Sequence, residues 1–335
     1  MHTAPDPTPI IELATAYWGS ATLIAAARLK IFTHLAAGAA DPATLAARAE
    51  VDADAVEGLL AGLVSLNLVQ KNADGTFANT PSASTFLVEG SPAYLGPAML
   101  YNGDVYPLWA RLDEVIRTGK VTEAPDQYLG DDDSRTRNFV YGMHHRALGV
   151  GQALTPVVDL SGRTRLADVG GGPGTYSALL TQKTEGLTSE VLDLPGVVAI
   201  AKEIVASLGA SERVQCTAFD YYKDNLPGRY DAALISGVLH REHPPQVQAI
   251  FQKVADAMDP GGVLYISDVM VNDDRTGPLF STMFELNMRV LSHGGRCHSV
   301  AEQRAWLDAV GFEITEVVTL PPPIHYTVIR AERRS

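Results

Sequence analysis

Two hydrophobic rhythms divide the chain. From about residue 8 to 90 the apolar residues recur at helical spacing. Ile10 to Leu35 predicts one or two apolar-faced helices. Pro42 to Ala49 and Ala53 to Leu66 follow as a helix–turn–helix, with Asp52 or Asp54 as the N-cap. Leu68-Val69-Gln70, the turn Asn72-Ala73-Asp74-Gly75 and then Thr76-Phe77 read as a hairpin, which completes a winged-helix pattern. Residues 91 to 155 read as linking helices. From Arg163 onward short apolar strands alternate with helices. The candidate strands are Arg165–Val169, Glu190–Asp193, Val214–Thr217, Ala232–Ile235, Val263–Asp268, Ile314–Thr319 and Tyr326–Ala331. This is the βαβ rhythm of a doubly wound parallel sheet. Only the six residues 320–325, with Leu320 and Pro321-Pro322-Pro323 among them, join the last two strands, too little for a crossover helix, so the final strand is expected to be antiparallel. The predicted fold class is α/β, a Rossmann-like sheet with an antiparallel last strand. Ahead of it stands a mainly α winged-helix domain. The expected boundaries are 1–90, a linking segment 91–155, and 156–335.

The strongest local signal is Leu166-Ala167-Asp168-Val169-Gly170-Gly171-Gly172-Pro173-Gly174, a buried strand running into a glycine-rich turn and then a helix from about Thr175. Glycine lets backbone turn tightly and lie against a ligand. The glycines at 170, 172 and 174 give G-x-G-x-G, whereas a dinucleotide fingerprint needs G-x-G-x-x-G. The loop suits a cofactor without a pyrophosphate, and S-adenosyl-L-methionine is the candidate. The terminal strand reversal agrees, because it separates a methyltransferase-type sheet from a dehydrogenase-type one. Asp193 ends the second strand about 20 residues past the turn, where a carboxylate accepts from both ribose hydroxyls. Asp220 follows the third strand, where an adenine amino group is in reach, with Tyr221 or Phe219 to cover the ring. Asp168 reads as a brace for the turn.

Composition narrows the class. The chain has 335 residues, 46% hydrophobic and 19% charged, with a net charge of −13, which disfavours nucleic acid and anionic membranes as partners. Between residues 38 and 90 the basic residues are Arg48 and Lys71, facing Asp41, Glu50, Asp52, Asp54, Glu57, Asp74 and Glu89. A DNA-reading wing requires the opposite balance. Met1 to Pro5 lacks a basic n-region, so no secretory signal is expected. The run Ile10 to Ala27, broken by Glu12, Thr15, Gly19 and Ser20, is read as too polar for a membrane span. Cys216 and Cys297 make no disulfide framework, and a reducing cytoplasm is the expected location.

Taken together, Asp168 to Gly174, Asp193-Leu194-Pro195, Asp220-Tyr221-Tyr222, Val238-Leu239-His240 and Gly294-Gly295-Arg296 resemble the plant-type (caffeate/acetylserotonin-like) S-adenosylmethionine-dependent O-methyltransferases and their bacterial natural-product relatives. The resemblance covers nearly the whole chain. It implies a homodimer, and cofactor contacts at Gly170, Gly172, Asp193, Asp220, Tyr221 and Ser236. It puts His240 in the place of the catalytic base and Asp268 in that of the acid orienting it. Met143 and Met288 fall where the acceptor pocket is lined. Two departures stand out: His240-Arg241-Glu242 replaces the usual His-Asp-Trp, and Cys297 stands where a second acid follows Gly-Gly-Lys/Arg.

The residues themselves suit such chemistry. Methyl transfer is an in-line displacement governed by proximity, and a histidine base generates the phenolate. Cys297 reads as a small apolar residue lining the pocket, with no local support for a thiolate nucleophile. His144 and His145 belong to a basic-aromatic patch, Arg135 to Arg146. They either face the acceptor or one of them caps a helix. His240 and His243 are followed by Pro244-Pro245, and no metal motif is present. The expected function is methyl transfer to a hydroxyl of a small aromatic or polyketide-like acceptor. The alternatives are C- or N-methylation, the same cofactor used for hydroxylation, decarboxylation or cyclisation, and a non-enzymatic winged-helix regulator.

Overall fold

The computed structural model describes residues 5–121 and 133–334. Met1 to Ala4, within the segment read for a secretory signal, and the side chain of Arg135 lie outside the described residues. The chain divides into two compact units, 1–107 and 108–335.

The first unit begins with three helices, α1 (Thr8–Thr15), α2 (Tyr17–Arg28) and α3 (Ile31–Ala36). The helix–turn–helix follows as α4 (Pro42–Ala49) and α5 (Ala53–Ser65), and the wing as β1 (Val69–Lys71) and β2 (Phe77–Asn79). Caps set these boundaries. Asp41 accepts from the Thr44 amide at 2.9 Å with Pro42 opening α4, and Asp52, rather than Asp54, accepts from the Ala55 amide at 2.8 Å. β1 and β2 pair antiparallel around Gly75, whose φ is 85°. Their apolar sides close over one core containing Phe32, Leu45, Leu60, Leu63 and Phe77. α6 (Pro81–Phe86) and α7 (Gly96–Trp109) lead out. One expectation needs correcting. By length and composition Thr8–Arg28 is apolar enough to cross a membrane, so its polar interruptions do not by themselves exclude a span.

The second unit opens with α8 (Leu112–Thr118) and α9 (Asp133–Val157) and continues as β3 (Arg165–Val169), α10 (Thr175–Lys183), β4 (Thr188–Asp193), α11 (Pro195–Ser207) and β5 (Val214–Ala218). Then come β6 (Tyr230–Ser236), a short helical turn at Leu239–Arg241, α12 (Pro244–Ala257), β7 (Met258–Asp268), α13 (Leu279–Leu291), α14 (Val300–Ala309), β8 (Phe312–Thr319) and β9 (Thr327–Arg333). The sheet order is β5-β4-β3-β6-β7-β9-β8. The first five strands run parallel, and β9 is antiparallel to both β7 and β8, as the short proline connection requires. Alternate residues feed opposite faces of the sheet. Ala233, Ile235, Leu264 and Ile266 enter one core, and Ala232, Leu234, Val263 and Tyr265 enter the other. The chain leaves β3 toward β4 on one side and returns to β6 on the other. That switch opens a crevice beyond the carboxyl ends of β3 and β6, where open α/β sheets bind ligands.

Candidate active site

The glycine turn follows the carboxyl end of β3, at that switch point. The Gly170 amide donates to Leu192 O at 2.8 Å, which ties the turn to β4. Gly170 has φ 67°, and a Cβ there would come within 2.6 Å of Val238 Cγ2, so only glycine lets the turn press against the segment leading to His240. Gly172, φ 53°, has open space where a side chain would stand. Asp168 lies fully buried beneath the turn. Its Oδ2 accepts from Ser177 Oγ at 2.6 Å, while Oδ1 is buried without a hydrogen-bond partner among the described residues. Burial pushes this carboxyl up to about 7, with the Asp193 charge adding to the rise.

Asp193 ends β4 with one oxygen on each of two backbone amides, Oδ2 to Gly172 and Oδ1 to Leu194, both at 2.7 Å. Burial raises this carboxyl, and the two amides oppose the rise. Asp220 stands beyond β5, where Lys223 pairs with Oδ2 at 2.7 Å and the Tyr222 amide with Oδ1 at 2.9 Å. The Lys223 bond first, and the amide after it, hold this carboxyl below the usual range. Tyr221 is held through its hydroxyl by Glu242 Oε1 at 2.7 Å, and Tyr222 donates to the same carboxylate at 2.7 and 2.8 Å. Glu242 is buried, and burial pushes both phenols up. Ser236 Oγ, at the end of β6, is buried with no hydrogen bond of ordinary geometry among the described residues.

His240 and Asp268 meet at the ends of β6 and β7. Nδ1 lies 2.5 Å from Asp268 Oδ1, and Asp268 also accepts from the backbone amides of His240 (3.3 Å) and Val269 (2.7 Å). Both side chains are buried. A carboxylate on Nδ1 keeps the proton there and leaves Nε2 with a lone pair. Phe284 on α13 packs edge-on against the imidazole at 4.9 Å between centroids. The Gly237 Cβ position is 3.8 Å from His240 Cε1 and 3.8 Å from the Tyr326 hydroxyl. The Gly294–His298 segment braces the same turn: the Arg296 amide donates to His240 O at 2.9 Å, and His298 Nε2 reaches the carbonyls of Leu239 (3.1 Å) and Glu242 (3.0 Å).

The acceptor candidates separate. Met143 is half-buried on α9, and Met288 is buried on α13. Cys297 is fully buried in an apolar cluster, and burial pushes its thiol up, which suits a packing residue rather than a nucleophile. His144 turns the other way. Its Nδ1 lies 2.8 Å from Thr175 Oγ1 at the start of α10, a buried link between helices, and burial lowers its pKa. His145 is exposed. Glu242, Phe284, His298 and Tyr326 were not singled out for a role from sequence. For Glu242 the signal was present, since it departs from the expected tryptophan two residues after His240. No group of three metal-ligating side chains occurs among the described residues.

The sequence model of an O-methyltransferase domain matches residues 113–313, and that of an O-methyltransferase dimerisation domain matches residues 11–89. A 3-hydroxy-5-methyl-1-naphthoate 3-O-methyltransferase of Streptomyces sahachiroi is 34% identical over 321 residues, 95% of this chain and 92% of that protein. The tetracenomycin polyketide synthesis 8-O-methyl transferase of Streptomyces glaucescens is 31% identical over 332 residues, 98% of this chain and 97% of that one. Human N-acetylserotonin methyltransferase, solved in complex with S-adenosylmethionine, superposes with a TM-score of 0.88 at 25% identity, over 100% of both chains. With a matched methyltransferase domain spanning more than half its length behind a matched dimerisation domain, this chain belongs to the O-methyltransferase family.

Proposed function

We propose that this chain moves a methyl group from S-adenosyl-L-methionine to a hydroxyl of a small aromatic or polyketide-like acceptor, with His240 as general base. One observation carries the reading: the buried His240–Asp268 pair follows the very segment, at Val238, against which the glycine turn is pressed. The residues present fit the cofactor. Gly172 leaves room for it, and the two Asp193 oxygens keep further lone pairs for ribose hydroxyls after binding their amides. Ser236 supplies a buried hydroxyl at the same edge, beside the Tyr176 phenol. Gly170 and Gly172 would hold the cofactor with Asp193 and Ser236, while Asp220 and Tyr221 would face the adenine. To do so Asp220 exchanges an exposed lysine partner for the amino group. The bound cofactor supplies a methyl group on a positively charged sulfur.

The chain's own residues supply position and the proton path. Asp268 fixes the tautomer of His240, and Nε2 takes the acceptor's hydroxyl proton, an effect worth ~10²–10⁴-fold. Met143 and Met288 line the acceptor, with the fully buried Cys297 as a packing residue; His144 acts indirectly, by holding α9 against α10. The acceptor class draws support from the two Streptomyces relatives, one named for a naphthoate and one for a polyketide. The matched dimerisation domain supports a homodimer. The free, buried Cys216 and Cys297 fit a reducing cytoplasm.

Calorimetric titration with S-adenosylmethionine and S-adenosylhomocysteine, with Asp193→Ala as control, tests the cofactor site. Binding of both by the wild type and loss in the variant is expected; no binding by the wild type overturns the reading. Product mass tests the chemistry. A gain of one CH₂ supports methyl transfer and any other change points to hydroxylation, decarboxylation or cyclisation; NMR of the product then places the methyl on oxygen, as expected, or moves the target atom to nitrogen or carbon.

A further inference from the structure

The basic-aromatic patch on α9 contains a side chain to which the proposed chemistry gives no role. The guanidinium carbon of Arg146 stands 5.4 Å from the ring centroid of Tyr326 and 6.0 Å from that of Phe284. Both rings border the base. Phe284 packs its edge against His240 at 4.9 Å, and the Tyr326 hydroxyl and His240 Cε1 converge on Gly237. Beyond Phe284 the aromatic surface continues outward: Phe280 stacks on Phe284 at 5.9 Å and 13°, and His325 on Phe280 at 4.0 Å and 16°. A single ring therefore separates the base from a positive charge, in a chain whose net charge is −13.

A guanidinium resting on ring faces is held in orientation, and its planar N–H fork matches a carboxylate. We infer that Arg146 recognises a carboxylate on the acceptor, selecting hydroxylated aromatic acids over their neutral counterparts. The inference rests on the reading of the His240 crevice as a methyl-acceptor site. Because one aromatic ring stands between base and cation, the acid group and the reacting hydroxyl lie at different positions of the acceptor's ring system. Arg146 is solvent-exposed, so screening keeps the effect modest, about 10-fold in affinity for a charge-assisted bond.

The test reads binding, so it does not depend on turnover. The S-adenosylhomocysteine-loaded full-length protein is titrated with 3-hydroxy-2-naphthoate, 6-hydroxy-2-naphthoate and 2-naphthol; both acids are 2-naphthol with a carboxylate added, near to or far from the hydroxyl. The wild type is expected to bind at least one acid about 10-fold more tightly than 2-naphthol, and added salt should reduce that preference. Arg146→Gln is expected to abolish the preference while binding 2-naphthol as the wild type does, and Arg146→Lys to fall between them. Equal affinity for acids and naphthol in the wild type overturns the inference. So does a preference that survives in Arg146→Gln, or a loss shared equally by all three ligands. Failure of the underlying reading looks different: the acid preference would be present, but no methyl group would appear on any hydroxyl.

Discussion

At the scale of single residues, two buried acids do opposite work. Asp268 contacts His240 Nδ1 and accepts from two backbone amides, so it both orients the His240 ring and closes the end of β7. His240→Ala is expected to lower kcat by ~10²–10⁴-fold while leaving S-adenosylhomocysteine affinity unchanged, measured by single-turnover kinetics and calorimetry. Asp268→Asn keeps the shape but no longer fixes the tautomer, so its kcat should fall as well, with affinity for the cofactor again kept. Full turnover in His240→Ala would leave a proximity mechanism without a base. Asp168 is the contrasting case. Its native pKa of about 7 lies above the ordinary 3.8, so the folded chain holds a proton that the unfolded chain has released. Its contribution to stability is therefore full below about pH 4, declines as pH rises, and is gone above about pH 7. In Asp168→Asn that contribution no longer titrates. Thermal unfolding of the cofactor-free protein from pH 4 to 8 should show a steeper fall in Tm for the wild type than for the variant. Parallel curves would place the Asp168 pKa near its unfolded value.

At the scale of elements, the loop after β5 and the turn after β6 are joined by one buried carboxylate. Glu242 accepts from Tyr221 and Tyr222 and lies two residues beyond His240, so the segment carrying Asp220 and the segment carrying His240 share an anchor. Glu242→Gln keeps the volume but replaces charge-assisted bonds with neutral ones, a loss of about 1–3 kcal/mol. A several-fold to about 10-fold weaker cofactor affinity is expected, with a smaller change in kcat at saturation. An unchanged affinity alongside a lower Tm would reduce Glu242 to a packing role. Sequence showed less of this layer than of the others. Elements with a period or a cap were legible: the strands through Arg165–Val169 and Val263–Asp268, a cap at Asp52 or Asp54 that the structure places at Asp52, and the reversal at Pro321-Pro322-Pro323 all follow from local rules. The pairing of His240 with Asp268 was implied by the family resemblance rather than by a local rule, and the ends of β6 and β7 bring the two side chains together. The Glu242 anchor, the link from His144 to Thr175 and the support of His298 under the His240 turn join residues 20 to 59 positions apart. No periodicity encodes such pairs; they arise only when the sheet brings loop ends together. His144 shows the cost, since its type and its neighbours suit an acceptor contact equally well.

At the scale of the whole molecule, the N-terminal helices pose the remaining physical problem. α1 buries none of its residues, and Ile10 (74% exposed), Leu13 (77%) and Trp18 (58%) present apolar surface to solvent. An eight-residue helix without tertiary packing is not stable on its own in water. A contiguous apolar face of this kind marks an interaction surface. The matched dimerisation domain begins at residue 11, inside α1, so a second copy of the chain is the occupant consistent with the family. Each apolar side chain covered there contributes about 1.5–3 kcal/mol, and a charge in its place must instead be desolvated. Ile10→Glu combined with Leu13→Glu should therefore shift the protein from dimer to monomer at micromolar concentration in light scattering coupled to gel filtration. The isolated second unit should be unaffected in fold, so near-native circular dichroism from residues beyond the wing is expected to persist. A dimer that survives both substitutions would mean that this face serves something else. Thr8–Arg28 is apolar enough for that something to be a lipid surface, and co-sedimentation of the wild type with vesicles, lost in the double variant, would identify it.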